Sequence, residues 1–398
     1  MQPLEAYTLE PQTLARAINY ASARHALYFA SVPYSGLVLW SMLRLRIGPR
    51  LSRLHSAGFF AVMLLIVGVA LVPIDTAAHA ISRHFQISIQ PWPSWLGDWI
   101  KQLLSTVVIG TLLAWPFYAL VRRNPRRWWF QAWLASLPLL VIGAVIEPLV
   151  FDPLFNHFVP LSRSYPNLVI EIESLLKRAR VQIPADRLLE MSASEKTNSL
   201  NAYVTGFGPS RRLVLYDTII RKEDREPLLT TVGHELGHYV LNHIPKGLAF
   251  AGAMLLLGFW LAYLVAREWV SRWGEKLGID RVGSRSSFPL LLLIIVLLNF
   301  FADPIANAYS RNQEHEADLY SLEVTHGIVP NAPQAAARAF QIEGETDLDV
   351  PNPSRFIVFW LYSHPPTADR LRFALSYNPW AAGLQPKFVR DGPVLPAP

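Results

Sequence analysis

The chain has 398 residues, of which 52% are hydrophobic and only 17% charged, where a soluble domain carries about 25% charged residues. That balance excludes an ordinary soluble enzyme, and the absence of cysteine excludes disulfides and a thiol nucleophile. A net charge of +6 raises the question of nucleic acid. The arginines, however, gather at the edges of apolar runs, as in Arg44, Arg46, Arg50, Arg53 and Arg122, Arg123, Arg126, Arg127. They read as membrane topology signals, and no nucleic-acid partner is expected.

The first 24 residues, with Glu5, Glu10 and Arg16, lack the apolar core of a cleavable signal. Six apolar runs follow, over 25–43, 57–74, 102–121, 131–151, 247–266 and 286–302. A membrane-crossing helix needs about 20 residues, range ~17–25, so each run is long enough. The first contains Pro33 and Gly36 and the fourth Pro138 and Glu147, so these two are expected to be broken or partly interfacial. Asp75, Glu147 and Asp303 fall near run ends, where headgroup-level solvation accounts for them. The division predicted is a four-span block over 1–151, a polar region over 152–246, a two-span hairpin over 247–308, and a second polar region with an irregular tail over 309–398. The fold class is therefore mainly α: a polytopic membrane helix bundle of about six spans carrying a membrane-adjacent α+β domain.

Within the first polar region, 167–181 has helical spacing, with Leu168, Ile170, Ile172, Leu175 and Leu176 apolar. After Pro184 the pattern turns to strands. Asn201-Ala202-Tyr203-Val204 and Arg212-Leu213-Val214-Leu215-Tyr216 flank Gly206-Phe207-Gly208-Pro209, which reads as a β-hairpin. An exposed edge there would accept an extended peptide by strand addition; a purely structural hairpin is the plainer alternative.

His234-Glu235-Leu236-Gly237-His238 comes next. On a helix, residues four apart share one face about 6 Å from each other, so both imidazoles can reach one Zn2+. Glu235 is rotated by roughly 100° from His234, which suits a carboxylate acting as base toward water rather than a ligand. Pro227 opens the helical segment and Pro245 is expected to limit how far it continues.

A catalytic zinc needs a third protein ligand and an open position. Downstream, Ser310-Arg311-Asn312-Gln313-Glu314-His315-Glu316-Ala317-Asp318 places Glu314 and Asp318 four apart. Glu314 is assigned as ligand and Asp318 as the group that orients a ligating histidine. His315 would point about 100° away from Glu314. An acidic run is otherwise an ordinary solvated helix face. Near the end, in Tyr362-Ser363-His364-Pro365-Pro366-Thr367-Ala368-Asp369-Arg370, His364 could donate to a developing oxyanion while Arg370 stabilises charge or packs the site. A lone histidine before two prolines is ordinarily a turn residue.

Taken together these motifs resemble the integral-membrane zinc endopeptidases of the CaaX prenyl protease family. The resemblance runs from about Phe151 to Leu371. It includes Phe155-Asn156-His157-Phe158-Val159-Pro160-Leu161, the segment from Asn198 to Asp217, the zinc helix from Gly233 to His243, the run ending at Asp318, and His364-Pro365-Pro366 with Arg370. It implies one Zn2+ per chain on His234, His238 and Glu314, catalytic roles for Glu235, His364 and Arg370, and contacts to the substrate from Asn201, Ala202 and Tyr203. It implies a peptide or protein substrate that is prenylated or membrane-bound, with the lipid bilayer as a second partner, in a bacterial plasma membrane. The family encloses its site in a chamber of seven spans, where six runs occur here. The arginine-rich loops after spans one, three and five place the zinc site across the membrane from the cytoplasm, whereas the resemblance implies a cytosol-facing site. Two alternatives remain: a heat-shock-type membrane quality-control zinc protease, and a non-catalytic membrane binding protein with the same fold.

Overall fold

The computed structural model describes residues 4–206 and 211–390. Six helical stretches in it are long and apolar enough to cross a membrane. α1 (Pro11–Arg44), the short α2 (Ile47–Arg50), α3 (Ser56–His84), α4 (Trp92–Arg123), α5 (Trp128–Ile146) and α6 (Asp152–Phe155) form the amino-terminal block. α1 runs through Pro33 and Gly36 without a break, so the expected interruption of the first span does not occur. Proline is tolerated inside spans because neighbouring helices satisfy the freed backbone groups. The fourth span passes Pro138 as α-helix and widens into a π-helical turn over Glu147–Phe151 before α6. Pro148, which has no N–H to donate, falls on that turn. Asp75 accepts from Trp99 Nε1 at 3.1 Å, and Asp303 accepts from the Tyr28 hydroxyl. Both carboxylates are thus paired across helices.

The bundle is held by large buried side chains, among them Phe59, Phe60, Tyr118, Trp128 and Phe288. The Phe60 ring lies 5.1 Å from that of Tyr118 and 5.2 Å from that of Phe288. Leu37, Val69, Leu112 and Leu134 remain exposed, an apolar surface that requires lipid around it. The three arginine-rich loops meet at one end. Arg46 donates to the Lys276 carbonyl at 3.1 and 3.3 Å, Arg285 donates to the Leu54 and Ser52 carbonyls at 2.8 and 3.0 Å, and Gly283 lies against Arg122.

At the other end lies the α+β part. β1 (Phe158–Pro160), β2 (Leu188–Met191), β3 (Ala202–Thr205) and β4 (Arg212–Tyr216) form one sheet in the order β1-β2-β4-β3. β2 and β4 are parallel with Leu188 opposite Leu213; β3 and β4 are antiparallel with Ala202 opposite Leu215. The expected hairpin strands are therefore paired, with β3 on the edge of the sheet, while the turn residues 207–210 lie outside the described residues. α8 (Asp217–Lys222) packs on β4 and α9 (Arg225–Val240) on β3; α7 (Pro166–Arg178) and α12 (Ala332–Asp347) pack on α9, α14 (Thr367–Ser376) packs on α12, and α13 (Arg355–Leu361) lies on the bundle side, with Phe356 against Phe29 and Trp360 against Phe300. Ile172, Leu175, Leu213, Leu215, Val232, Leu236 and Val324 make the core.

Pro245 does not limit α9. The helix stops at Val240 because Asn242 takes a left-handed conformation, φ 57°, and α10 (His243–Leu277) starts with Pro245 in its first turn, a position where a missing N–H leaves no hydrogen bond unmade. The sixth span is part of α11 (Phe288–Thr325), one helix of 38 residues. The expected division at 308 falls inside it, so span and catalytic segment are a single rod. At 1.5 Å per residue Glu314 lies about 39 Å along from Phe288, beyond a hydrocarbon layer of about 30 Å. The two parts also join elsewhere: Ser88 bridges Thr197, and Lys196 Nζ lies 2.6 Å from Asp98 Oδ2.

Candidate metal centre and active site

α9 crosses α11 at close range because two of its residues have no side chain. A Cβ at Gly237 would lie 3.1 Å from Ala317 Cα and from Tyr320 Cβ, and one at Gly233 would lie 3.1 Å from the side chains of Ser321, Val324 and Thr325. That approach brings the histidine face of α9 onto Glu314. His234 Nε2 is 3.0 Å from His238 Nε2 and 3.2 Å from Glu314 Oε2, and His238 Nε2 is 3.6 Å from Glu314 Oε1. The three side chains offer ligand atoms within 4.8 Å of one another and could hold a metal ion. Two imidazole nitrogens and a carboxylate are the donor set of a catalytic zinc. Glu314 Oε2 is buried, and the imidazole nitrogens of His234 and His364 at 3.2 and 3.3 Å do not meet it in hydrogen-bonding geometry, a costly arrangement for a carboxylate oxygen unless a cation completes it. The residues fit the metal.

Asp318, the carboxylate expected to orient a ligand, lies within hydrogen-bond reach of His234. Asp318 Oδ1 is 2.8 Å from His234 Nδ1, and Asp318 in turn accepts from Arg370 Nε at 2.9 Å and Nη2 at 2.7 Å, a bidentate pair. Burial works against the His234 charge, but Asp318 and Glu314 outweigh it and push its pKa up to about 10. The same negative field that attracts a proton there attracts a divalent cation. Burial works against the Arg370 charge as well, and Asp318 more than offsets it. His364 Nε2 reaches within 3.3 Å of Glu314 Oε2. His315 points away and lays its ring 4.4 Å from that of Phe373.

A cavity of about 410 Å3 opens onto this cluster, lined among others by Asn201, Ala202, His234, Glu235, His364 and Arg370. Burial pushes the Glu235 carboxyl up, against the opposing effect of the two histidines, the direction a proton-accepting group needs. Tyr203 is not in this cavity. Its hydroxyl donates to Asp152 Oδ2 at 2.5 Å, beside Arg212 at 2.6 Å from the same oxygen, on the opposite side of β3. Strand alternation puts Ala202 and Tyr203 on opposite faces.

Several polar groups escaped the sequence reading. Glu343 and Asp347 line the same cavity, and burial pushes each carboxyl up to about 7. Glu323 is fully buried and accepts from the Tyr377 hydroxyl and the backbone N–H groups of Lys387, Phe388 and Val389, so the irregular segment expected beyond 376 is tied down at 387–389. His243 sits behind His238. Each of these acts on a segment distant in sequence or across a helix break, which local spacing does not reveal.

Residues 164–378 match the family model of peptidase family M48, and residues 7–157 match that of the CAAX prenyl protease N-terminal region, five membrane helices. The Bacillus subtilis (strain 168) metalloprotease YhfN is 32% identical over 376 residues, covering 92% of this chain and 86% of that one. CAAX prenyl protease 1 of Saccharomyces cerevisiae is 28% identical, covering 71% and 63%, and a homolog from Arabidopsis thaliana is 25% identical, covering 87% and 80%. The crystal structure of S. mikatae Ste24p superposes with a TM-score of 0.79 at 22% identity, covering 93% of this chain and 90% of that one; at that identity it shows the fold. With a multi-pass membrane block, a donor set suited to zinc and these matches, the chain belongs to peptidase family M48 and is a membrane-integrated zinc metalloprotease.

Proposed function

We propose that His234, His238 and Glu314 hold the zinc and that the enzyme hydrolyses peptide bonds in lipid-modified, CaaX-like protein substrates at the surface of a bacterial plasma membrane. The observation that carries this reading is the convergence of the three donors, with Glu235 beside them, at a point on α11 about 39 Å along from Phe288, more than the length needed to cross a bilayer. Held by His234, His238 and Glu314, a zinc ion would supply Lewis acidity toward the scissile carbonyl and the attacking water. Glu235 takes the proton from the attacking water and returns it to the leaving amine. His364, above Glu314, donates to the carbonyl oxygen as negative charge develops on it. Arg370 keeps Asp318 ionised, and Asp318 accepts the Nδ1–H of His234 so that Nε2 faces the metal. The backbone at Asn201 and Ala202 hydrogen-bonds the peptide as an added strand on β3.

The names of the yeast and plant relatives speak of prenylated substrates, and a lipid anchor would deliver the scissile bond to a site this close to the membrane. The test is turnover in proteoliposomes on a farnesylated peptide and on its unlipidated counterpart. Glu235→Gln should bind one zinc per chain and lose activity by roughly 10²–10⁴-fold. Cleavage of the farnesylated peptide alone supports the CaaX-like reading. Equal cleavage of an unlipidated membrane segment rejects it in favour of a quality-control protease, and full activity in the Gln variant rejects the role given to Glu235.

A further inference from the structure

We infer that His243 is a positioning residue for the metal, an imidazole that accepts the Nδ1–H of His238 and thereby fixes the ring that presents His238 Nε2 to zinc. The inference rests on the proposed ligand set and goes beyond it. His234 and His238 are not supported alike. Behind His234 stands a carboxylate, Asp318, at 2.8 Å. Behind His238 stands another imidazole, with no carboxylate among the described residues in that place: its Nδ1 faces Nδ1 of His243 at 3.0 Å, the ring centroids being 5.0 Å apart and the planes at 78°.

Two nitrogens at that distance require one to carry the hydrogen and the other a lone pair. His238 Nε2 points into the donor cluster, 3.0 Å from His234 Nε2, so a metal there takes that lone pair and leaves the hydrogen on Nδ1. His243 must then be neutral with its hydrogen on Nε2. That atom is buried and lies 3.4 Å from Glu316 Oε2. Glu316 is the acceptor for it, and Lys246 and Lys387, at 4.0 and 3.8 Å, hold that carboxylate in place. The turn between α9 and α10 makes this possible. The left-handed Asn242 turns the backbone after α9, so that His243, the first residue of α10 and only 4% exposed, folds back against the end of the helix it has just left. Gln313 Nε2 donates to the His243 carbonyl at 3.3 Å, which ties the same residue to α11. His243 thus joins the three helices that meet at the metal. Neither of its nitrogens faces the donor cluster, so it is not itself a ligand.

The test compares two amides that differ in reach by one methylene. His243→Asn puts a carbonyl oxygen near the place of Nδ1, whereas His243→Gln carries its amide out toward the place of Nε2. Zinc dissociation constants are measured by chelator competition on the detergent-solubilised full chain, with Co2+ absorption as a report on ligand geometry. The Asn variant should bind within about threefold of the parent, and the Gln variant 10–100-fold more weakly, the usual effect of losing such a partner. Gln binding as tightly as Asn, with an unchanged Co2+ spectrum, overturns the inference. Equal weakening in both, with equal losses of melting temperature, overturns it in favour of a purely structural role. His238→Ala serves as the separate check on the ligand set: if that variant keeps one zinc, the proposed ligands fail, and not the relay alone.

Discussion

The two halves of α11 both bury apolar side chains, but only the second buries carboxylates among them. Toward its start Phe288, Leu290, Leu291, Leu293 and Ile294 are inside, packed with Phe60 and Tyr118; toward its end Glu314, Asp318 and Glu323 are inside, each facing a cation site or a set of donors. The membrane half is stabilised by shape and volume, so apolar substitutions of similar size should be absorbed there. The peptidase half is held by groups whose burial is tolerable only while every partner is present. A single rod therefore fixes the metal site rigidly to the bilayer while placing its least replaceable residues on the far side of it.

The largest effect should come from breaking the charged half. Asp318→Ala leaves Arg370 buried beside an unsupported His234, and should lower unfolding stability by roughly 3–5 kcal/mol in denaturant titrations in detergent. A loss under 1 kcal/mol would mean that solvent reaches the Arg370 guanidinium. Next comes the cavity wall. Glu343 and Asp347 have folded pKa values raised to about 7 from ordinary carboxylate values, so the folded state retains protons that the unfolded chain releases. Their contribution is complete below about pH 4 and is lost as pH rises through 7. Melting temperature of the zinc-loaded protein should fall from pH 5 to pH 8, and Glu343→Gln should flatten that fall; an unchanged slope counts against a buried carboxylate there.

In the membrane half, Phe60→Leu keeps most of the volume and should cost about 1.5 kcal/mol or less, with zinc affinity unchanged. A drop as large as that of Asp318→Ala would erase the contrast between the halves. Smallest of all, Glu268→Ala removes an exposed partner of Arg272 on the loop side of α10 and should change stability by under ~0.5 kcal/mol.

What the sequence disclosed follows the same division. Spans are legible because a bilayer demands about 20 consecutive apolar residues, and all six runs became helices. The histidine pair is legible because four residues make one helical turn. Glu314 and Asp318 are legible because they share a face of α11, although that α11 continues unbroken from the sixth span is not. Strand alternation, applied to Ala202 and Tyr203, would have turned the tyrosine away from the cavity. β1, with three residues, and β2, with four, are too short for a period to register. His243 stayed hidden because its action depends on the left-handed turn at Asn242, and Glu323 because its partners come from the tail.

X-ray absorption at the zinc edge on the purified enzyme tests the central claim most directly. The account predicts one zinc per chain with two imidazole nitrogens at about 2.0–2.1 Å and carboxylate oxygen at about 2.0–2.2 Å, and loss of the metal or of that carboxylate shell in Glu314→Ala. An absorption pattern that Glu314→Ala leaves unchanged, or one requiring a third imidazole such as that of His364, would contradict it.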